Sequence, residues 1–344
     1  MTGAGKPSGA LEGLPPSFHS LLDEADAATY MLVRSGTSRI LAVYGDQVRR
    51  GKAGEAELLR LLLGRDGRGG LGGPTLQDNK VALVWHEDGL ARLRFRFLQV
   101  IPSNGTVLPM ECSNSASAAA MLAQFGGRHR VLEPCWHAEN VSTRQRIELR
   151  PFGGDRIPEA YQVRFLASDR TRRALAGLAG PGVVRVRGRQ VAFQPVLLGN
   201  LFLFSEIDPN LDAETLDALV GAGMEAARAV GFQPPPGYHP KVIPYRLLDS
   251  EAVPTVLTAS FYLGERHRSF PGSAAMALCA YLAQRRSAPD QARDHWQVRH
   301  PSGQIDVRLG FDPSRGGALL RWTEFVTPVS LLAWGRVAMP WRDR

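Results

Sequence analysis

Cysteine is scarce in this sequence. Its three thiols, Cys112, Cys135 and Cys279, lie far apart and form none of the paired C-x-x-C spacings that hold zinc. This argues against a disulfide framework and a structural metal, and no metal is expected. No apolar run approaches the ~20 residues needed to span a bilayer, and the opening MTGAGKPSGALEG lacks the apolar core of a secretion signal. The expectation is a soluble, cytoplasmic protein that engages no membrane. Aromatic residues make up 8% of the chain, and no basic block is interleaved with them as a single-strand binding groove requires. Lys and Arg outnumber Asp and Glu by 41 to 33, yet most are Arg scattered through strand-like segments. Period-two spacing puts Arg92, Arg94 and Arg96, and again Arg185, Arg187 and Arg189, on a solvated strand face. No nucleic-acid partner is expected, and the excess suits an anionic small molecule equally well.

What is present reads as an ordinary globular chain. At 344 residues, with 44% hydrophobic and 22% charged residues, it is long enough for two domains with sizeable cores. Residues 1–28 read as a loose leader with a short helical piece at Ser17 to Ala25, followed by domains at 29–192 and 193–344. In the first, strands are expected at Thr29 to Val33, Ile40 to Val43, Val81 to Trp85, Ala91 to Val100, Arg146 to Leu149 and Tyr161 to Leu166. Helices are expected there at Ala53 to Leu63 and Ser115 to Phe125. In the second, strands fit Val183 to Ala192, Leu201 to Ile207, Thr255 to Tyr262, Trp296 to Val298, Gln304 to Leu309 and Ala318 to Phe325. Its helices fit Ala213 to Val230 and Ser273 to Arg285.

Two of these helices are alike in kind. SASAAAMLAQF and GSAAMALCAYLA are apolar around most of their circumference, so each should be enclosed by the sheet of its own half. Small or polar residues precede each one: Cys112, Ser113, Asn114 and Ser115 in the first, Pro271, Gly272 and Ser273 in the second. Such a start offers backbone N–H groups and the positive end of the helix dipole to a carboxylate. Two facing starts would clamp a substrate carrying several carboxylates; ordinary capping of two core helices is the alternative.

The order of motifs from about Tyr30 to Pro340 resembles the 2-methylaconitate cis-trans isomerase (PrpF) family of the diaminopimelate epimerase-like superfamily. Arg34-Ser35-Gly36-Thr37-Ser38-Arg39 resembles that family's R-G-G-T-S-K, and Gly70 to Lys80 its Gly-rich loop ending in Lys. Phe97 to Val100 resembles F-G-Q-V, and Glu111-Cys112-Ser113-Asn114 resembles N-C-G-N. Gly199-Asn200, Pro240-Lys241-Val242, His267 to Ser273 and His300 to Gly303 continue the match. The resemblance implies an α+β fold of two similar domains, each a curved, mostly antiparallel β-sheet or barrel around a central helix. It also implies an active site between the helix N-termini and no cofactor. A lysine and a cysteine serve the proton transfers in that family, and they map onto Lys80 and Cys112.

Physical chemistry supports this pair independently. A thiol just before a helix start has its thiolate favoured by the dipole, although Glu111 beside it would oppose this if it points inward. Lys80, heading an apolar strand, suits a desolvated base or an enolate-stabilising ammonium; a core thiol and a surface lysine are the bland alternatives. Ser113, Asn114, Ser115, Gly272 and Ser273 are candidate substrate-binding residues, Thr37, Ser38 and Thr75 could add hydroxyl donors, and Asn200, Lys241 and His267 are weaker candidates. Arg34 and Arg39 offer guanidinium forks for a carboxylate, or simple solvation. A racemase of this superfamily carries a second cysteine before the second helix; Pro271 stands there, so two opposed thiols are excluded. Cys135 and Cys279 read as structural. Glu111, Ser113, Ala116 and the segment RWTEFV depart from the family pattern, and Phe270 and Trp322 near the cleft would suit a substrate with fewer carboxylates or a larger apolar part. The expected activity is a cofactor-independent isomerase shifting a C=C bond in an unsaturated small-molecule carboxylate, 2-methylaconitate-like or from a specialised biosynthesis. A non-catalytic anion-binding or accessory protein that kept the fold is the alternative, and a homodimer is compatible with either.

Overall fold

The computed structural model describes residues 27–36, 38–45, 80–86, 91–100, 107–109, 113–126, 134–153, 157–175, 181–198, 200–233, 238–248, 253–262, 264–267, 271–285, 294–312 and 319–338. The helices expected at Ser17 to Ala25 and Ala53 to Leu63 lie outside these residues. The first half runs β1 (Ala27–Ser35), β2 (Ser38–Tyr44), β3 (Lys80–His86), β4 (Arg92–Val100), β5 (Val107–Pro109), α1 (Ser113–Gly126), β6 (Trp136–Asn140), β7 (Gln145–Phe152) and β8 (Ala160–Leu166). A short helix α2 (Asp169–Leu175) and strand β9 (Gly182–Val186) lead to the second half. This comprises β10 (Arg189–Leu198), β11 (Asn200–Glu206), α3 (Ala213–Ala229), β12 (Lys241–Leu248), β13 (Thr255–Thr258), β14 (Ser260–Tyr262) and β15 (Glu265–His267). It ends with α4 (Gly272–Arg285), β16 (His295–His300), β17 (Gly303–Asp312) and β18 (Leu319–Ala338).

Strand pairing closes an eight-membered ring, β1-β2-β3-β4-β6-β7-β8-β18 and back to β1. Helix α1 runs through it and touches every strand of the ring. This is why its sequence has no polar face: Asn114 through Phe125 are all buried, and a helix surrounded by sheet has no side left for water. The second half forms a seven-strand series, β10-β11-β12-β13-β16-β17-β18, around α4. Among the described residues no ladder joins β10 to β18. Helix α2 packs there against β10 and α4, and Arg172 Nη1 donates to the Ala167 and Leu320 carbonyls, at 2.7 and 3.2 Å.

Strand β18 belongs to both halves. Its first part pairs with β17 on one side and β8 on the other, and its last part pairs with β1. The sequence reading ended this strand at Phe325, and the structure carries it to Ala338. Pro328 is the reason for the difference. It falls where the strand passes from its partner β8 to its partner β1, so the missing proline N–H interrupts neither ladder.

The remaining differences have similar local causes. Val183 to Ala192 is a hairpin, β9 to β10, not one strand. Arg187 and Gly188 both have positive φ, 47° and 77°, the backbone of a two-residue turn whose twist matches the flanking strands. Arg187 therefore sits in a turn, not on a sheet face, and its Nε donates to Glu214 at 2.7 Å. Arg92 and Arg94 are exposed as expected, alternating with buried Leu93 and Phe95. Strand β12 was not foreseen because KVIPYRLL carries Pro244. Directly across from Pro244, the expected strand Thr255 to Tyr262 breaks at Ala259 into β13 and β14, since proline has no N–H to close that rung. The second sheet is covered on both faces, by α4 on the inside and α3 on the outside. Phe202, Phe204, Ile243 and Tyr245 join the α4 core, while Leu201, Leu203, Val242 and Phe261 join the α3 core. Helix α3 is capped by Asp212, whose carboxylate accepts the Thr215 N–H at 2.8 Å.

The two halves share one register. Ser35 pairs with Ser38 across β1 and β2, and Leu198 with Asn200 across β10 and β11. The next strand lies parallel in each case: Leu41 is level with Val81, which sets Ile40 beside Lys80, and Phe202 is level with Lys241. Strand β4 then runs parallel to β6, and β13 to β16.

Candidate active site

Side-chain alternation decides which residues face the enclosed helices. Ile40 and Ala42 on β2, and Ala82 and Val84 on β3, pack into the core around α1. Ser38 and Lys80, each two residues before such a position, therefore lie on the same inner face. They meet: Lys80 Nζ donates to Ser38 Oγ at 2.9 Å. Ser38 is buried and Lys80 half-buried, at the rim where the barrel ends and α1 begins.

The start of α1 is tied to the same rim. Gly36, with φ of 58°, turns the chain between β1 and β2, and its N–H donates to the Pro328 carbonyl at 2.7 Å. A side chain at Gly36 would begin 3.3 Å from Thr327 Oγ1 and 3.4 Å from Asn114 Oδ1. Thr327 Oγ1 itself donates to Asn114 Oδ1 at 3.4 Å. Ser115 is fully buried one residue further into the helix, and Ser35 Oγ, also fully buried on the inner face, has no hydrogen-bond partner among the described residues.

The second helix arrives at the same strand. The Pro271 carbonyl accepts the N–H groups of Ala274 and Ala275 at 3.0 and 3.1 Å and so begins α4. A Cβ at Gly272 would lie 2.3 Å from the Phe325 ring. Phe325 and Thr327 are two positions apart on one face of β18, a spacing of about 7 Å. The shared strand thus brings both helix starts to adjacent positions. Gly272→Ala must displace the Phe325 ring, and we expect a loss of about 1–3 kcal/mol, as for other overpacked sites. A denaturant midpoint unchanged from wild type would contradict this contact.

Of the residues singled out in the sequence, Ser38, Lys80, Asn114, Ser115, Gly272 and Ser273 gather at these two starts. Ser113 is the first residue of α1. Asn200 and Lys241 head β11 and β12 on the inner face of the second half, and His267 ends β15 opposite Ser260. Thr37, Thr75, Glu111, Cys112 and Phe270 lie outside the described residues. Arg34 and Arg39 are paired across β1 and β2 on the outer face, so their guanidinium forks do not turn into the barrel. Trp322 also faces outward, beneath the Arg164 guanidinium at 4.4 Å, and not into a cleft. Cys279 is enclosed within α4, and burial pushes its thiol far up, keeping it protonated; Cys135 is half-buried just before β6. Thr327, Ser35 and Phe325 carry no expectation of a site role in the sequence: Ser35 stands where the family's opening motif has glycine, and Phe325 and Thr327 fall at or beyond the expected end of their strand.

Ser38 positions the Lys80 amine. Ser38→Ala should leave the fold intact and slow any reaction that uses Lys80 by about 2- to 12-fold, the worth of one ordinary hydrogen bond. The loss should fall on kcat and leave KM almost unchanged, and equal kcat values for the variant and wild type would contradict the positioning role.

Two barrel-like halves, each around an apolar helix, with the helix starts meeting at a shared strand, define the diaminopimelate epimerase-like fold, and this chain has it. Solved structures agree over almost the whole length. A methylitaconate-δ-isomerase superposes with a TM-score of 0.61 at 13% identity, covering 90% of this chain and 95% of that one. A probable proline racemase from Agrobacterium radiobacter gives 0.58 at 15% identity, over 92% and 94%. A hydroxyproline epimerase from Agrobacterium vitis, holding trans-4-hydroxy-L-proline, gives 0.56 at 15%, over 92% and 93%. No family model matches the sequence, and no curated protein matches it. No helix among the described residues is long and apolar enough to cross a membrane.

Proposed function

We propose that the protein is a cofactor-independent isomerase that moves a proton, and with it a C=C double bond, within an unsaturated carboxylate. The observation that carries this reading is Lys80: an amine held by Ser38 on the inner face of a closed barrel, at the end where the enclosed helix begins. In the proposed reaction the Lys80 amine takes the proton from a carbon next to the activated double bond. The C–H pair moves into a dienolate, and a proton returns at the other end of the three-carbon unit, restoring the carboxylate with its double bond shifted. Cys112, one residue before α1, is the proposed partner acid, and the roles of the two can be exchanged with the direction of flux. The N–H groups at both helix starts would stabilise the dienolate oxygens. Methylitaconate isomerisation by a protein of this fold makes a double-bond shift a natural use of the site, with no second thiol needed. The substrate is taken to be a di- or tricarboxylate, and a specialised biosynthetic substrate fits the departures at Glu111 and Ser113.

The purified protein incubated with methylitaconate, aconitate and methylaconitate isomers should interconvert the isomers of at least one, followed by proton NMR. Unchanged isomer ratios throughout the panel would contradict the proposal and favour a binding protein that kept the fold.

A further inference from the structure

Lys241 occupies in the second half the place that Lys80 occupies in the first. Each is the first residue of a strand lying parallel to its predecessor. Each stands level with the position two after a polar residue that opens that predecessor, Ser38 in one case and Asn200 in the other. The face agrees as well. Ile243 and Tyr245 pack into the core around α4, so Lys241 lies on the inner face, as Lys80 does, with buried Asn200 on the neighbouring strand. The Lys241 ammonium lies 5.8 Å from the centre of the Tyr262 ring, which burial keeps as a neutral phenol. Next to Tyr262 on the same inner face, Ser260 Oγ is buried, with 2% of the residue exposed, and has no hydrogen-bond partner among the described residues. The antiparallel register sets Tyr262 level with Lys241 and Ser260 level with Ile243. A buried hydroxyl without a partner among the described residues thus lies on the same face, within two residues along the strand of an inward-facing ammonium, an arrangement that suits an anionic group.

We infer that Lys241 is a specificity-determining residue that takes the carboxylate at the end of the substrate remote from the carbon deprotonated at Lys80. The inference rests on the isomerase reading above. It also meets a need of that chemistry: a Lys80 that accepts a proton must enter the reaction as an uncharged amine, so a fixed cation for an anionic substrate has to come from elsewhere. The ammonium of Lys241, with the Ser260 hydroxyl as a second donor, supplies it from the opposite half.

The test compares methylitaconate with its half-amide, in which the remote carboxylate is neutral, using wild type, Lys241→Met and Lys241→Arg. Turnover is read by NMR and affinity by calorimetry, with thermal melts to verify folding. Wild type should prefer the diacid, Lys241→Met should reduce that preference by about 10- to 150-fold, the span for a hydrogen bond to a charged group, and Lys241→Arg should restore part of it. A preference in Lys241→Met equal to that of wild type overturns the inference while leaving the isomerase reading in place. If wild type binds both compounds but turns over neither, the isomerase reading falls and the inference falls with it, whatever the calorimetric preference. No binding of methylitaconate by wild type overturns the inference as well.

Discussion

Replacing Lys80 with methionine is expected to lower the isomerisation rate by about 10²- to 10⁴-fold, the usual contribution of a positioned acid–base group. Methionine keeps an unbranched apolar stem for the half-buried entry to β3 and removes only the nitrogen that donates to Ser38. The loss should therefore appear in kcat with the melting temperature almost unchanged. Lys80→Met should also be far more damaging than Ser38→Ala, since the hydroxyl only holds the amine that does the chemistry. A variant that retains a tenth or more of the wild-type rate would remove Lys80 from the proton transfer and leave it a binding cation.

The largest stability effect is expected at the outer face of β18. Glu324 is buried, with 3% of the residue exposed. Its carboxylate accepts from Gln162 Nε2 at 2.6 Å and from Arg164 Nε at 2.7 Å. Arg164 in turn reaches Glu148 at 3.6 Å and covers the Trp322 ring. This knot fastens β8 to the strand that both halves share. Arg164→Met removes the cation and leaves a buried carboxylate with one neutral donor, which should cost about 3 kcal/mol; one quarter of the Arg164 side chain is exposed, which places the effect at the lower end for broken buried pairs. Adding Glu324→Gln to that variant removes the stranded charge and should recover part of the loss, a non-additivity that a double-mutant cycle in urea would measure. Strict additivity of the two substitutions would show that the pair does not act as a unit. Because both helix starts abut β18, the single variant should lose activity at a lower temperature than wild type.

The parts of the fold legible in the sequence are those where one kind of residue leaves little choice. Helices α1 and α4 were plain because runs of Ala, Leu and Met without a polar face can only be enclosed. The alternation of Arg92, Arg94 and Arg96 with Leu93, Phe95 and Phe97 gave β4 and its solvated face. Proline hid the rest: Pro244 concealed β12 and the break at Ala259, and Pro328 concealed the second part of β18. Both prolines sit where a missing N–H is absorbed by the local pairing, a fact of tertiary position that no short window contains. Arg187 was misplaced for a related reason, since its strand-like neighbours gave no sign of the positive φ it adopts before Gly188.

The site shows the same division. Motif order pointed to Ser38, Lys80, Asn114 and the start of α4, and these come together. Thr327 was invisible because a lone hydroxyl in an apolar strand carries no signal until the strand's partners are known, and Ser35, inside the opening motif, drew no role because the family has glycine there. The equivalence of Lys80 and Lys241 likewise depends on ladder register. The residues around them, Gly-Pro-Thr-Leu-Gln-Asp-Asn before one and Pro-Gly-Tyr-His-Pro before the other, do not resemble each other.

The measurement closest to the central claim is deuterium uptake by an unsaturated carboxylate of the panel in deuterated water, followed by proton NMR with wild type and with Lys80→Met at equal, folded concentrations. The account predicts that wild type places deuterium at the carbon that gains a proton as the double bond moves, and that Lys80→Met fails to do so on the same timescale. Uptake by both proteins at similar rates would contradict the claim that Lys80, held by Ser38 at the start of the first helix, carries the proton.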